Sequence, residues 1–238
     1  MDTPLNQHQS APQQWKMIYL ARRNPALTEK EFAPAWRAHS ALGRQCRNVQ
    51  DKVVGVTQCT RLGMDGQMLD LRGVNQDYDG VNMLRLRDLG VATDIWNDPE
   101  TRAIMRPDEL RVFDRYVRDF TLVAHERVVH DGPLGEAILF AFIPRAPELA
   151  LAEFLDALTL ACNSLSLSSR VVLNAVEAER PPGFDFDAII ECWFADADAM
   201  QAAIGQHDVR KQLAAAIGSL CQVEKAVLMA TGISHRRS

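Results

Sequence analysis

The chain has 238 residues, enough for one large domain or two small ones. Its hydrophobic content of 47% and charged content of 24% are typical of a folded globular protein and exclude a disordered or fibrous one. The formal net charge of −5 excludes the basic footprint that nucleic acid or an anionic membrane surface would require, so neither partner is expected.

The first half of the chain carries a regular succession of strand and helix patterns. Residues 1–14 are polar and predict a flexible tail, and the apolar run at residues 17–21 predicts a strand. Thr28 and Glu31 stand at the spacing of a capping box, so a helix is expected to begin near Glu29. Further patterns predict strands at 53–56 and 78–87, one or two helices at 94–112, and a strand at 120–129. The order βαββαβ is that of a ferredoxin-like unit, a four-stranded sheet with helices on one face.

The second half repeats this order. The residues that match are Pro25, Leu27, Glu31, Phe32 and Asp79 in the first half, and Pro147, Leu149, Glu153, Phe154 and Asp187 in the second. We therefore predict an α+β fold of two tandem ferredoxin-like repeats, residues 15–132 and 133–232, with a short tail at 233–238. Because neither sheet can leave its bare face in water, the two bare faces should pack against each other. Since both copies carry the aspartate, Asp79 and Asp187 are expected to serve the turn geometry.

One motif in the first half has a recognisable pattern. Phe32-x-x-x-Trp36-x-x-His39 follows a strand and a turn, and Tyr78-Asp79-Gly80 opens a later strand. In these residues the chain resembles the EthD family of the dimeric α+β barrel superfamily. The resemblance implies an intramolecular dimeric α+β barrel. It implies little about the reaction, because relatives include decarboxylase-like and dehydratase-like members of fungal polyketide pathways. The second repeat departs from the motif and is degenerate, with Leu158 and Ala161 at the positions of Trp36 and His39.

His39 is the leading candidate for a catalytic residue. Its spacing from Phe32 and Trp36 puts all three on one helix face, and the two aromatic residues direct that face toward the sheet. An inward imidazole beside an indole can take up and return a proton near neutral pH. The alternative is a core histidine bonded to a backbone carbonyl. Tyr78 is a second candidate, as a phenol that holds a substrate carbonyl or as an aromatic cover over the helix end.

Two further candidates lie in predicted strands. Alternation puts Arg85 and Glu191 on the face between the two repeats, where they either form a buried ion pair that fixes the register or bind a ligand. His125 and Glu126 point to opposite faces of the last strand of the first repeat, so one of them must face inward. A solvated charged edge is the simpler interpretation of this segment, and a substrate contact by His125 is the other.

These residues predict a cofactor-independent lyase or isomerase that acts on an apolar, aromatic or polyketide-like carbonyl compound. His39 would be the general acid/base in a pocket between the first helix and the first sheet, with Tyr78 as polar handle and Trp36 as wall. Phe32, Arg85 and His125 would complete the binding site. The second repeat should have lost its pocket. The alternatives are a non-catalytic small-molecule binding protein of a catabolic pathway and a haem-binding barrel protein.

The remaining features concern cofactors and location. No cluster has the spacing of metal ligands and no phosphate-binding loop occurs, so neither a metal nor a cofactor is expected. The five cysteines are odd in number and widely separated, which indicates no disulfide framework and favours a reducing cytoplasm. The expected partner is a small apolar molecule, and two such chains could associate as a homodimer of pseudo-dimers.

Overall fold

The computed structural model describes residues 14–63, 77–163, 168–206, 211, 214–215 and 217–237. The predicted N-terminal tail lies outside the described residues, except for Gln14, which begins the first strand. The predicted C-terminal tail is wrong for residues 233–237. These residues belong to the last strand, and Arg237 pairs with Val56 of the first repeat.

The described part of the first unit contains four strands and five α-helices. In chain order they are β1 (Gln14–Ala21), α1 (Glu29–Leu42), α2 (Arg47–Lys52), β2 (Val53–Arg61), β3 (Gly80–Leu86), α3 (Gly90–Asn97), α4 (Pro99–Ile104), α5 (Arg106–Val112) and β4 (Thr121–His130). The predicted capping box is present, because Thr28 accepts the backbone N–H of Glu31 and the Glu31 side chain accepts that of Thr28. The helical region after β3 is divided into three short helices. Pro99 and Pro107 lie in the first turn of α4 and of α5, where a backbone N–H has no partner within the helix and proline is therefore tolerated.

The second unit repeats the strand order with fewer described helices. Its elements are β5 (Ala137–Ile143), α6 (Leu151–Asn163), β6 (Arg170–Val176), β7 (Ala188–Phe194), α7 (Ala197–Gly205) and β8 (Val227–Arg237). No helix in the described part of the chain is long and apolar enough to cross a membrane.

The eight strands form one closed antiparallel barrel in the order β1-β3-β2-β8-β5-β7-β6-β4. Each unit supplies four neighbouring strands, and the units meet where β2 pairs with β8 and β4 pairs with β6. Closure covers the second face of both sheets and leaves no free strand edge. Apolar side chains of both units fill the interior, among them Ile18, Met83, Phe140 and Met229. The predicted fold class is confirmed.

The two units use the same device to fix the turn after their first strand. Asp79 accepts the backbone N–H of Arg23 at 2.8 Å and also pairs with its guanidinium group. In the second unit Asp187 accepts the backbone N–H of Arg145 at 2.9 Å and its Nε at 3.3 Å. Each aspartate therefore ties the first strand of its unit to the start of the third, which agrees with the structural role expected for both.

A charged cluster inside the barrel joins the two units. Lys16 of β1 donates to Glu126 of β4 at 2.8 Å and to Glu191 of β7 at 2.6 Å. Glu191 is fully buried and also accepts from Asn174 at 2.8 Å and from the indole of Trp193 at 3.0 Å. Burial would lower the pKa of Lys16, but the two carboxylates outweigh it and raise the pKa above its usual value. The ammonium ion is thus held between carboxylates from both units.

The predicted pairing of Glu191 with Arg85 is wrong. Arg85 lies near the end of β3, is exposed, and donates to the side chain of Gln14 at 3.2 Å. Glu191 lies opposite Phe140 in the middle of β7, where Lys16 reaches it. Alternation along a strand correctly gives the face on which each residue lies. It does not give the position of the residue along the barrel axis, and that position determines which residues can pair.

Candidate functional site

The main cavity of the first unit lies between its sheet and its helices. Its volume is about 460 Å³. The sheet contributes Tyr19, Gln58, Asn82 and Leu84, and the helices and their connections contribute His39, Ile95, Met105, Glu109 and Val117 among others. Buried residues line its inner part and exposed ones line its opening, so the cavity is a cleft that a small molecule can enter.

The floor of the cavity is a row of polar side chains on three adjacent strands. Tyr19 of β1 and Gln58 of β2 both pair in register with Asn82 of β3. The Tyr19 hydroxyl oxygen accepts the indole N–H of Trp36 at 3.2 Å, so its own proton remains available to a ligand. Asn82 Oδ1 is buried and has no hydrogen-bond partner among the described residues. Because a buried unsatisfied acceptor is unfavourable, this atom indicates a missing donor.

His39 and Asp108 form a pair at the helical side of the cavity. Nδ1 of His39 lies 2.9 Å from Oδ2 of Asp108, and the imidazole packs edge-on against Phe113. Arg111 donates to Asp108 from Nε at 2.6 Å and from a terminal nitrogen at 3.2 Å. The carboxylate is therefore fixed from two sides and orients the ring. Nε2 of His39 makes no hydrogen bond within the described part of the chain, and the residue lines the cavity.

The electrostatics of this pair define its protonation. Burial lowers the pKa of His39 below 6.5, and the hydrogen bond that His39 donates to Asp108 opposes this only in part. Burial would raise the pKa of Asp108, but the hydrogen bonds from Arg111 and His39 lower it below its usual value. At neutral pH Asp108 is thus an anion that accepts the Nδ1 proton of a neutral imidazole, and Nε2 carries the lone pair.

Burial raises the pKa of two other residues of the cavity. Burial raises the pKa of the Tyr19 phenol, so it stays protonated as a hydrogen-bond donor. Burial also raises the pKa of Glu109, although its carboxylate accepts the backbone N–H of Val117 at 2.9 Å. The cavity therefore presents a base on its helical side and a phenolic donor on its floor.

Of the residues predicted to form the site, only His39 lines this cavity. Trp36 and Phe32 stack on each other at 5.0 Å between ring centroids and lie in the core behind Tyr19. The indole of Trp36 also lies against Gly80, where an added Cβ would come within 2.7 Å of the ring. The prediction that Trp36 forms the pocket wall is therefore wrong, and its role is to position Tyr19.

Tyr78 is also placed elsewhere, so the prediction that it serves as polar handle for His39 is wrong. It lines a separate pocket of about 120 Å³, and Arg22 lies over its ring at 4.9 Å from the centroid. The physical reason is that Tyr78 precedes β3 at the end where the indole of Trp36 fills the space above Gly80. Tyr19, one strand away, supplies the phenol.

Arg85 and His125 do not line the cavity either. Arg85 stands at the exposed end of β3, as described above. Glu126, which bonds Lys16, is the inward-facing member of its pair, so His125 points away from the barrel interior. There it packs edge-on against Trp15 with ring centroids 5.5 Å apart, and its Nδ1 lies 3.9 Å from Glu177. The structure gives both residues peripheral positions.

The second unit lacks the polar row. Its register positions equivalent to Tyr19, Asn82 and Gln58 carry Ala141, Ile190 and Leu173. In the described part of this unit the helix side of the sheet holds a cavity of about 20 Å³ lined by apolar residues and Cys221. Among the described residues the two units thus differ as predicted: the first has a large cavity beside its sheet and the second has a much smaller one.

Sequence reasoning missed three residues of the site. Asp108 lies 69 positions after His39, and no short-range pattern links the two. Tyr19 and Asn82 lie in strands whose helix-facing side is otherwise largely apolar. The sequence does contain a signal for these two residues: each is polar on the helix-facing side of a strand, and the equivalent position of the other repeat is apolar.

The comparisons with known proteins bear on the fold. No protein-family model matches the sequence, and neither does any curated protein. An anthrone oxidase-like protein of known structure aligns with a TM-score of 0.59 and 13% identity over 95% of this chain and 93% of its own. A presumed monooxygenase of Fusobacterium nucleatum aligns with a TM-score of 0.56 and 8% identity over 95% and 94%. One of Lactobacillus acidophilus aligns with a TM-score of 0.50 and 8% identity over 95% and 96%. These full-length likenesses show that the chain has the architecture of the dimeric α+β barrel proteins.

Proposed function

We propose that the chain is an enzyme of cofactor-independent acid–base chemistry, a lyase or isomerase of an apolar carbonyl compound. The observation that carries the proposal is the 2.9 Å contact between His39 and Asp108 at the wall of a cavity of about 460 Å³. A base oriented by a carboxylate, with its other nitrogen free at a cleft, is the arrangement that general-base catalysis needs.

The proposed reaction is proton transfer next to a carbonyl group. Nε2 of His39 takes a proton from the carbon beside the carbonyl, and the electron pair of that C–H bond moves onto the carbonyl oxygen to give an enolate. The Tyr19 O–H donates a hydrogen bond to this oxygen, and Trp36 holds the phenol in place. The imidazolium, stabilised by Asp108, then returns its proton to carbon in an isomerisation or to a leaving group in an elimination.

Two likenesses support a small-molecule substrate. The structural neighbours bear the names of an anthrone oxidase-like protein and of monooxygenases, and anthrone is an aromatic ketone. The sequence motif around His39 resembles that of the EthD family, and His39 is the motif residue that lines the cavity. Both agree with an apolar carbonyl substrate for the first unit.

The test is deuterium exchange into carbonyl compounds. A panel of aryl 1,3-diketones, which carry acidic hydrogens on the carbon between the two carbonyl groups, would be incubated with the protein in D₂O, and label uptake above the buffer rate followed by mass spectrometry. We expect His39→Gln to lower the exchange rate by about 10²–10⁴-fold while the fold is retained. The matched control is His125→Gln, which changes a histidine outside the cavity and should leave the rate unchanged.

The other outcomes identify the alternatives. Binding of panel compounds without exchange, unaffected by His39→Gln, would indicate a non-catalytic binding protein. A haem-binding barrel would show a Soret band in an absorbance scan of purified protein, and that band would shift in His39→Gln if Nε2 were the ligand. Full exchange activity in His39→Gln would refute the proposed role of His39.

A further inference from the structure

The opening of the cavity is lined by four arginines. Arg102 and Arg106 come from α4 and α5, Arg118 from the turn before β4, and Arg237 from the end of β8. Two acidic residues, Glu109 and Asp119, line the same cavity. Positive charge therefore exceeds negative charge at the opening, in a chain whose net charge is −5.

Within the described residues none of these arginines forms an ion pair with a carboxylate, although the charge of Arg106 partly opposes the rise in the pKa of Glu109. Within the described residues, Arg102 and Arg118 make neither a hydrogen bond nor an ion pair, and Arg106 lies over the ring of Tyr116 at 4.5 Å from the centroid. Arg237 donates only to the backbone oxygen of Val53, at 3.3 Å. Elsewhere arginines of this chain do find carboxylates, as Arg145 does with Asp187. The difference suggests that the partner at the opening is a ligand.

Arg237 carries the argument furthest. It is half-buried, and burial together with the nearby charge of Arg44 lowers its pKa. A guanidinium placed beside a like charge, partly out of water and without a counterion, is unfavourable unless an anion joins it. Glu109 is not that partner, because its carboxylate is turned to the backbone N–H of Val117, from which it accepts at 2.9 Å, and it forms no ion pair with Arg237 in the described structure.

We propose that the substrate is an organic anion, an aromatic carbonyl compound whose carboxylate is bound at the opening by Arg102, Arg118 and Arg237. This proposal narrows the apolar carbonyl substrate of the proposed function to one whose apolar ring system also carries a carboxylate. Only the position of the carbonyl group next to His39 depends on the proposed function. Guanidinium groups bind carboxylates through paired N–H donors. The carboxylate lies at the opening, and the apolar ring system fills the cleft above the floor.

The same proposal assigns a role to the second unit. Arg237 belongs to β8 and pairs in register with Val56 of β2, so a residue of the second unit reaches the cavity of the first. The second unit contributes this specificity residue although the described part of its own helix-facing side holds a cavity of only about 20 Å³. The site is then incomplete in an isolated first unit.

The experiment compares two probes of the same size, 2-naphthoate and the uncharged 2-naphthamide, binding to the full chain. Titration at low salt should show naphthoate binding about tenfold or more tightly than naphthamide, because the amide lacks the charge. Arg237→Gln and Arg102→Gln should each lower naphthoate affinity by about five- to tenfold and leave naphthamide affinity unchanged. Arg85→Gln removes an exposed arginine away from the cavity and should change neither affinity. Added salt should weaken naphthoate alone.

Three results would overturn the proposal. They are equal affinity for the two probes, equal loss of both in the Arg237→Gln variant, and failure of naphthoate to bind at its solubility limit. His39→Gln distinguishes this proposal from the proposed function. If exchange activity is absent but naphthoate discrimination persists in both the wild type and His39→Gln, the acid–base function fails and the anion site stands. If exchange requires His39 but the two probes bind with equal affinity, the anion site fails and the acid–base function stands.

Discussion

The two units of the barrel share a backbone and differ in the side chains that face their helices. In the first, Tyr19, Gln58 and Asn82 form a polar row, and a cavity of about 460 Å³ lies above it. In the second the same positions are apolar, and the cavity in the described part is about 20 Å³. Apolar residues can be covered completely by helices, whereas covering a polar row would leave unsatisfied groups. One row of three residues therefore separates an open cleft from a packed core.

The features that hold the fold are common to both units or join them. The aspartate that fixes the turn after the first strand occurs in each, and the Lys16 cluster takes its carboxylates from both. The residues on which the proposed reaction and the proposed anion site depend belong to the first unit, apart from Arg237. The comparison thus separates residues whose replacement should affect stability from those whose replacement should affect activity.

The largest effect on stability is expected at Lys16. Lys16→Met leaves Glu126 and Glu191 without a counterion and should lower the free energy of unfolding by about 3–5 kcal/mol, measured by urea denaturation. Ile138→Met changes the equivalent position of the second unit and should cost less than about 1.5 kcal/mol. Equal effects of the two variants would show that the cluster does not join the units.

Exchanging a residue of the polar row with the apolar residue at the equivalent position of the second unit tests whether the row separates the cleft from the packed core. Ile190→Asn puts an amide into a packed core and should lower the free energy of unfolding by about 2–5 kcal/mol. Asn82→Ile places an apolar residue in the cleft and removes a buried unsatisfied acceptor, so the free energy of unfolding should change by less than about 1 kcal/mol. Thermal and urea unfolding of both variants measure this asymmetry. Similar losses in the two variants would mean that the polar row is structural.

Replacing Asp108 should affect stability less than the preceding variants do and should act mainly on activity. Asp108→Asn can donate an amide N–H to Nδ1 of His39, which moves the ring proton to Nε2 and removes the base. Exchange activity should fall on the order of 10²-fold with little change in unfolding temperature. Asp94→Asn, which alters an exposed carboxylate paired with Lys52, serves as the control. Unchanged activity in Asp108→Asn would show that the contact is incidental.

The smallest effect concerns acid stability. The pKa of folded His39 lies below 6.5, so the unfolded chain takes up the proton first as the pH falls. The contribution of this group to stability is complete above pH 6.5 and is lost as the pH falls through the folded-state pKa. His39→Gln should flatten the corresponding part of the curve of unfolding free energy against pH. An unchanged slope would contradict the lowered pKa.

The fold was predictable from the sequence, and most of the site was not. Thr28 and Glu31 act over one helical turn, and the repeated Pro, Leu, Glu and Phe positions revealed the two units, so local signals were enough. His39 was found because it shares a helix face with Phe32 and Trp36.

The other site residues depend on distant contacts. Asp108 reaches His39 only through packing of α5 on α1. The motif singles out Tyr78, but it does not show that the indole of Trp36 fills the space above Gly80 at that end of the strand. Residues paired across a barrel need a register, and single-strand alternation does not supply one.

The protonation of His39 is the most direct test of the central claim, that the first unit holds an oriented base. Nitrogen-15 NMR of the imidazole, with His39→Gln used for assignment, reports which nitrogen carries the proton and the pH at which the ring titrates. We expect a proton on Nδ1 and none on Nε2 at neutral pH, and we expect the imidazole to titrate below pH 6.5. A proton on Nε2, or titration above 6.5, would contradict this claim.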